Sequence, residues 1–473
     1  MVNSEKGYRI ERDSMGPVRV LKEAYYGGNT KRAIDNFPVS GYRFGRELIH
    51  ALGLIKYAAA RANAELGLLD RRQARAIEQA AYEVMQGKWD DQFVIDVFQT
   101  GSGTSTHMNA NEVIANRANE ILGGQKGTYH PVHPNDHVNL CQSSNDVFPS
   151  ALHIAAVTLL LERLLPALTD LHESLDQKAK EFYPVLKIGR THLQDALPIR
   201  LGQEFEGYAQ QVRFGIFRIL MAMGSLYELP LGGTAVGTGA NTHPLFAKKA
   251  IAIINKTIRG QFRKATSPFE AQGARDASVE VSGALKTVAV GLLKIANDIR
   301  WLGSGPRCGL GEIHLPEVQP GSSMMPGKVN PVIPESLIQV CAHVIGSDTA
   351  ITLGGLQGYF ELNTMMPLIA FHLLESIRLL ANGVATFNHR CVKGLKANRE
   401  RCEEMIEKSL ALVTALAPTI GYEEASRLAR RAYQEGKTIR QIAEEEGILP
   451  KKKLDRLLNP VSMLGPRKKW KGP

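Results

Sequence analysis

Cysteine is sparse in this chain and never paired. There are five in 473 residues, Cys141, Cys308, Cys341, Cys391 and Cys402; none forms a CxxC pair, and the number is odd. This excludes a disulfide framework and a thiolate zinc site. It fits a reducing cytoplasm in which the thiols are packing residues. Long apolar runs are missing too. The most apolar stretch, Ala151–Leu161, contains His153 and runs into Glu162 and Arg163, too short to span a bilayer. Met1 to Val20 is charged and has no apolar centre, so no signal peptide is expected. Strand signals are few, no βαβ rhythm appears, and no internal repeat or low-complexity segment is present. The net charge of +10 is unevenly spread: residues 451–473 hold eight Lys or Arg against one Asp, so the tail carries +7 and the other 450 residues +3. Such an end reads as solvated, with gathering of anionic substrates as a second reading. Neither nucleic acid nor membrane is expected as a partner.

What is present is ordinary globular composition, 44% hydrophobic and 22% charged, at a length that allows two or three domains. Helical periods run over Phe44–Leu68, Met108–Leu122, Pro244–Asn255 and Ser278–Leu302. From Val157 apolar residues fall at 157, 160, 161, 164, 165, 168, 171 and 175, a core-facing stripe that Pro166 bends without ending. Over Glu335–Leu353 the residues Leu337, Val344 and Ile351 recur every seventh position. After Pro367 the residues Leu373, Ile377, Leu380 and Val384 alternate spacings of four and three. That spacing marks helices packed side by side. Near the C-terminus Thr438 and Gln441 form a capping box and Gly447 a C-cap. The class is mainly α, built around a bundle of long helices.

Polar clusters interrupt these helices. Gly101-Ser102-Gly103-Thr104-Ser105-Thr106 leads into a helix start, and suits either a bound carboxylate or phosphate or plain N-capping. No Gly-Lys-Ser/Thr follows and the third glycine of a dinucleotide fingerprint is absent, so neither nucleotide motif applies. His133-Pro134-Asn135-Asp136-His137 carries two histidines and an Asp, but Pro134 makes it a turn and spoils an i, i+4 metal pair. Gln142-Ser143-Ser144-Asn145-Asp146 sits at the mouth of a bundle helix. Gly189-Arg190-Thr191-His192-Leu193-Gln194-Asp195-Ala196 lies between two helical stretches, with Pro198 just inside the second. Gly232, Gly233, Gly237 and Gly239 make a tight connection. Gly321-Ser-Ser-Met-Met-Pro-Gly-Lys-Val-Asn-Pro331 has no apolar period and brings hydroxyls and one cation into a loop between helices. Together these clusters offer hydroxyls, amides, an imidazole and a lysine, with no thiol pair, carboxylate pair or metal set. That set suits a small polycarboxylate and proton abstraction beside a carboxylate.

The loop Gly321–Asn330 resembles the signature of the fumarase/aspartase superfamily. The likeness extends over essentially the whole chain, through Gly101–Thr104, His133–Asp136, Ser143–Asp146, Gly189–Asp195 and Gly232–Gly239. Thr242-His243-Pro244, Arg300-Trp301-Leu302, Ser304–Gly309, Gly354-Gly355 and Gly358–Asn363 favour the class II fumarase branch. The resemblance implies a three-domain fold (1–142, 143–366 and 367–473) whose central long-helix bundle forms the core of a homotetramer. It implies reversible hydration of fumarate to L-malate without metal or organic cofactor, at sites shared by three subunits. Ser322 is the implied base, supported by Lys328, with His192 handling the departing water and Glu335 hydrogen-bonded to it. Ser102, Gly103, Thr104, Ser143, Ser144, Asn145, Thr191, Ser323, Lys328, Val329 and Asn330 are the implied substrate contacts. His133, Pro134, Asn135 and Asp136 are the implied second anion site. Two positions depart from the pattern: His107 stands where members usually carry Asn, and His130 lies near where an Arg often supports the second site. Thr104-Ser-Thr and Lys328–Glu335 read more like aspartase, so an aspartate ammonia-lyase is the alternative activity.

Overall fold

A computed structural model describes residues 7–465. Met1–Lys6, and with them part of the expected leaderless N-terminus, lie outside the described residues. So do Arg467, Lys468, Lys469 and Lys471 of the basic tail. The chain forms two compact units: Met1–Pro166 with Phe217–Ala289 and Ala342–Ala381, and Ala167–Ile216 with Val290–Cys341 and Asn382–Pro473.

The first unit opens on a hairpin, Tyr8–Asp13 against Gly16–Leu21, with Asp13 facing Gly16 across the turn. No strand was expected here, because only a two-stranded ribbon's worth of sequence carries the pattern. Helices Arg46–Glu65 and Arg71–Met85 follow as an antiparallel pair. Asp70 caps the second by accepting from the N–H groups of Arg72 and Gln73. Their contact is lined with small residues, among them Ala58, Ala59, Ala62, Ala80 and Ala81, all buried. A Cβ at Gly53 would stand 3.1 Å from the Ala81 carbonyl, so glycine lets the two helices approach without displacing that backbone. The Gly28–Asn36 helix has no capping side chain of its own. Its N-terminal amides at Gly27, Asn29 and Thr30 donate instead to buried Glu112, on the Thr104–Ile121 helix. Burial pushes the Glu112 carboxyl up to about 7, opposed by these same donors, and its oxygens satisfy the orphan N–H groups at the positive end of the helix dipole.

Helix Ser144–Leu159 passes through a π-turn at Leu160–Leu164 into Leu165–Phe182. The extra residue in that turn rotates the stripe: Leu160, Leu164, Leu168, Leu171 and Leu175 are buried as expected, whereas Leu161 turns outward. The continuous rod Ser144–Phe182 is long and apolar enough to cross a membrane, unlike the short run visible in sequence, as are Val332–Gly355 and Met366–Gly394. Two thirds of the apolar window in the first rod is buried inside the protein (67%), so its apolar surface serves packing.

In the second unit the segment expected to join two helices is a hairpin, Leu186–Thr191 against Gln194–Arg200. Pro198 therefore lies in a strand, and the next helix starts at Leu201. Lys187, Ile188 and Gly189 are buried in succession on the first strand, and Pro198 is tolerated because a two-stranded ribbon is all edge. A C-terminal cluster packs Ile406, Leu412, Leu428, Ile439, Ile442 and Leu454 around short helices. The Thr438–Gln441 capping box is formed in both directions, and Gly447 adopts φ +61° just past that helix. Of the cysteines, four are buried; Cys308 is exposed, because it sits in a Gly- and Pro-bounded turn with no helix face to cover it.

Candidate active site

The Gly321–Pro331 loop is ordered by its own backbone. Gly321 N–H donates to the Lys328 carbonyl (2.8 Å), and the Asn330 side chain donates back to the Gly321 carbonyl, closing the loop at its neck. A Cβ at Gly321 would meet backbone on both sides at 2.7 Å. Gly327 takes φ +77° at the far turn. Within this frame Ser322 Oγ accepts two backbone N–H groups, from Met325 at 2.9 Å and Met324 at 3.2 Å. Two donors on one hydroxyl oxygen stabilise negative charge on it, which is what a serine base requires. Ser323, Lys328 and Val329 are exposed.

Lys328, Val329, Asn330 and Glu335 line a cleft of about 590 Å³ together with Arg300 and Trp301. Glu335 lies on the first turn of the Val332–Gly355 helix, and Arg300 Nη2 stands 3.8 Å from it. Among the described residues, neither the Lys328 ammonium nor the His192 imidazole has a hydrogen-bond or ion-pair partner within the chain.

His192 and Leu193 form the two-residue turn of the second-unit hairpin, with φ +57° and +60°. Such a turn normally takes Asn-Gly, since both central residues need positive φ. An exposed histidine held there is displayed at a cost. Arg190 Nη1 alone donates to both oxygens of Glu312 at 3.0 and 2.9 Å, and Lys187 reaches the same carboxylate at 3.0 Å and Glu204 at 2.7 Å. Glu312 and Lys187 are almost wholly buried. Sequence reading passed over both: a single Glu and a single Lys, 125 positions apart, carry no local signal.

In the first unit Gly103 precedes the Thr104–Ile121 helix with φ +72° and supplies no capping side chain; the Gln99 side chain accepts from the Thr106 N–H at 2.9 Å in its place. Ser102 and Thr104 hydroxyls bond each other at 2.7 Å at the same helix start. A Cβ at Gly101 would collide with the Thr364 carbonyl at 1.7 Å, and one at Gly103 with the Phe148 ring at 2.3 Å, so both glycines are fixed by close packing. The Ser143–Asp146 cluster caps the next helix. Ser143 Oγ accepts from Asn145 N–H and Asp146 accepts from Ser143 N–H, a capping box. Asp146 also accepts from Gly232 and Thr234 N–H at 2.8 and 3.0 Å, and the Asn145 amide donates to the Ala235 carbonyl. The glycine-rich connection at 232–239 thus supports the Ser-Ser-Asn cluster, a function not readable from its composition. Burial pushes the Asp146 carboxyl up to about 6, opposed by those three N–H groups.

His133 Nδ1 accepts from the Asn135 and Asp136 N–H groups at 3.2 and 3.3 Å, and His137 Nδ1 accepts from His133 N–H at 2.8 Å. Both imidazoles therefore serve the Pro134–Val138 turn.

The chain resembles known proteins along nearly its whole length. A family model described as lyase matches residues 16–346, and one described as fumarase C C-terminus matches 412–465. The chain is 52% identical over 458 residues to a class II fumarate hydratase of Bradyrhizobium diazoefficiens, covering 97% of each protein. It is 51% identical over 466 residues to a mitochondrial fumarate hydratase of Macaca fascicularis, covering 98% of this chain and 91% of that one. The solved class II fumarase of Schistosoma mansoni superposes with a TM-score of 0.93 at 39% identity, over 97% of this chain and 99% of that one. With more than half its residues identical along nearly its whole length, the chain belongs to the class II fumarase family of the fumarase/aspartase superfamily.

Proposed function

We infer that the protein is a class II fumarate hydratase, a lyase that interconverts fumarate and L-malate. The observation that carries the reading is the Ser322 hydroxyl, which accepts two backbone N–H groups in a loop that also presents Lys328. In the malate-to-fumarate direction Ser322, as alkoxide, takes the C3 proton. The C3–H electrons move into an aci-carboxylate, then form the C2–C3 double bond as the C2–O bond breaks. His192 orients or protonates the departing hydroxyl, which leaves as water. Lys328, Asn330 and the hydroxyls and amides of Ser102, Gly103, Thr104, Thr191, Ser143, Ser144, Asn145 and Ser323 hold the two carboxylates, with Val329 in the loop wall. No step calls on a metal or organic cofactor.

A homotetramer with sites shared by three subunits is part of the proposal. Its support is the apolar surface that the single chain leaves open. Phe214, Phe217 and Met221 on one helix are more than half exposed, as is Leu353 on another, and only 39% of the apolar window of Val332–Gly355 is buried. Glu335 would then find His192 of a neighbouring subunit. The division at 1–142, 143–366 and 367–473 is the one proposed for the assembled enzyme. A second dicarboxylate site at His133–Asp136 is also proposed; its ligand would replace the His133 imidazole as acceptor of two backbone N–H groups. A cytoplasmic location is proposed on the five unpaired thiols.

The test is fumarate absorbance in the ultraviolet, with L-malate and separately with L-aspartate. Fumarate from malate alone supports the hydratase. Turnover of aspartate without malate would move the activity to the ammonia-lyase.

A further inference from the structure

One buried polar chain ends at the site without a part in the steps above. Lys56, on the Arg46–Glu65 helix, is wholly buried and has three acceptors in reach: His107 Nε2 at 2.6 Å, Gln142 Oε1 at 2.8 Å and Asn139 Oδ1 at 3.3 Å. His107, 1% exposed on the Thr104–Ile121 helix, continues the chain through Nδ1 to Ser144 Oγ at 2.8 Å. The other charged group facing Lys56 is the Asp146 carboxylate, which the Ser143, Gly232 and Thr234 amides hold.

Counting hydrogens fixes the direction of this chain. An ammonium has three hydrogens and no lone pair, so it donates to all three acceptors. His107 Nε2 is then an acceptor, the neutral ring carries its hydrogen on Nδ1, and Nδ1–H donates to Ser144 Oγ. Ser144 has thereby received its hydrogen bond and keeps its own O–H to donate. A neutral amine at position 56 permits the opposite order, in which Nε2–H donates to the amine and Nδ1 accepts from Ser144. Ser144 would then face the site with lone pairs only, and a carboxylate, which only accepts, would be repelled.

We propose that Lys56 and His107 are positioning residues that hold Ser144 as a hydrogen-bond donor to the bound dicarboxylate. The proposal rests on the reading that Ser144 contacts substrate. Burial pushes the ionisations of both Lys56 and His107 well down; the His107 ring is neutral, and at Lys56 the charge of Asp146 opposes burial and favours the ammonium that the hydrogen count requires. The same count explains which replacements preserve the device. An asparagine at 107 accepts from Lys56 with Oδ1 and donates to Ser144 with Nδ2, in the same order; a leucine does neither.

The test is steady-state kinetics with malate on the intact enzyme carrying Ser144→Ala, His107→Leu, His107→Asn, Lys56→Met, or Ser144→Ala with His107→Leu. The loss of one charge-assisted hydrogen bond raises KM about tenfold in Ser144→Ala, His107→Leu and Lys56→Met, with kcat little changed. His107→Asn keeps KM within about twofold of the parent, and the double variant is no worse than Ser144→Ala. If His107→Asn is impaired as badly as His107→Leu, or if the double variant shows the full product of the two losses, the relay is overturned while Ser144 keeps its place. An unchanged KM in Ser144→Ala would overturn the proposal and the placement of Ser144 together. Should His107→Leu fail to fold, the Asn and Met variants decide: a raised KM in His107→Asn, or an unchanged one in Lys56→Met, overturns it.

Discussion

Ser322 is an ordinary alcohol in an unusual place. Two amide hydrogens converge on its oxygen, and a lysine with no partner among the described residues stands in the same loop. Replacing it with alanine removes the group that takes the proton but none of the loop's backbone bonds, since the Gly321–Lys328 and Asn330–Gly321 contacts do not involve its side chain. Turnover is expected to fall by about 10²–10⁴-fold, with the oligomer intact by sedimentation. Near-parental turnover would sink the base assignment. Lys328→Met is expected to raise KM for malate more than it lowers kcat, if the ammonium chiefly binds a carboxylate; an unchanged KM would remove Lys328 from the binding set. The sequence could point to Ser322, Lys328 and His192 because they sit in short polar runs between helices. It could not point to Lys56 or Glu312, which stand outside those polar runs and whose partners lie tens of positions away.

At the scale of elements, the hairpin at 186–200 is the clearest departure from expectation. Its strands are six and seven residues long, its tip is His192-Leu193 rather than a glycine turn, and Pro198 mimics a helix start. Local signals favoured a loop before a helix. Tertiary interactions decided otherwise: Lys187 and Arg190 converge on one buried carboxylate, and an ion in the interior must be matched. Glu312→Gln leaves Arg190 without its carboxylate and Lys187 with Glu204 alone, so stability should drop by about 3 kcal/mol or more, seen as a lower thermal midpoint. Loss of the His192 turn geometry should lower kcat as well. A midpoint equal to the parent's would show that the ion cluster does not hold the hairpin. The helix starts at 104 and 144 were legible as polar runs before apolar periods. The reason position 103 holds glycine was not, since it depends on Phe148 filling the space where a Cβ would go.

For the whole molecule, buried histidine sets a pH limit. His153 donates from Nδ1 to the Glu228 carbonyl, and burial, reinforced by the charge of Arg275, pushes its pKa down to about 4. Above the unfolded value of about 6.5 both states are neutral and nothing is lost. As pH falls from there to about 4, the unfolded chain binds the proton first, so stability declines by about 3 kcal/mol at most from this residue. His153→Gln should flatten stability against pH over that window; an unchanged slope would refute the assignment. The proposed sharing of sites among subunits has its own test. Mixing unfolded Ser322→Ala and Asn145→Ala chains and refolding them together should regenerate activity that neither has alone, with about a quarter of sites intact by random assortment. No recovery would place both residues in one chain's contribution.

The sequence by itself determined the mainly helical class, the family, and the polar runs that carry the chemistry. These follow from local order, because apolar period and short motifs are properties of neighbouring residues. Tertiary structure alone decided the strand pair under His192, the π-turn that turns Leu161 outward, and the buried chain from Lys56 to Ser144. The strand pair and the buried chain depend on where a polar group far away in sequence finds its partner once water is excluded, and no window of neighbouring residues contains that information.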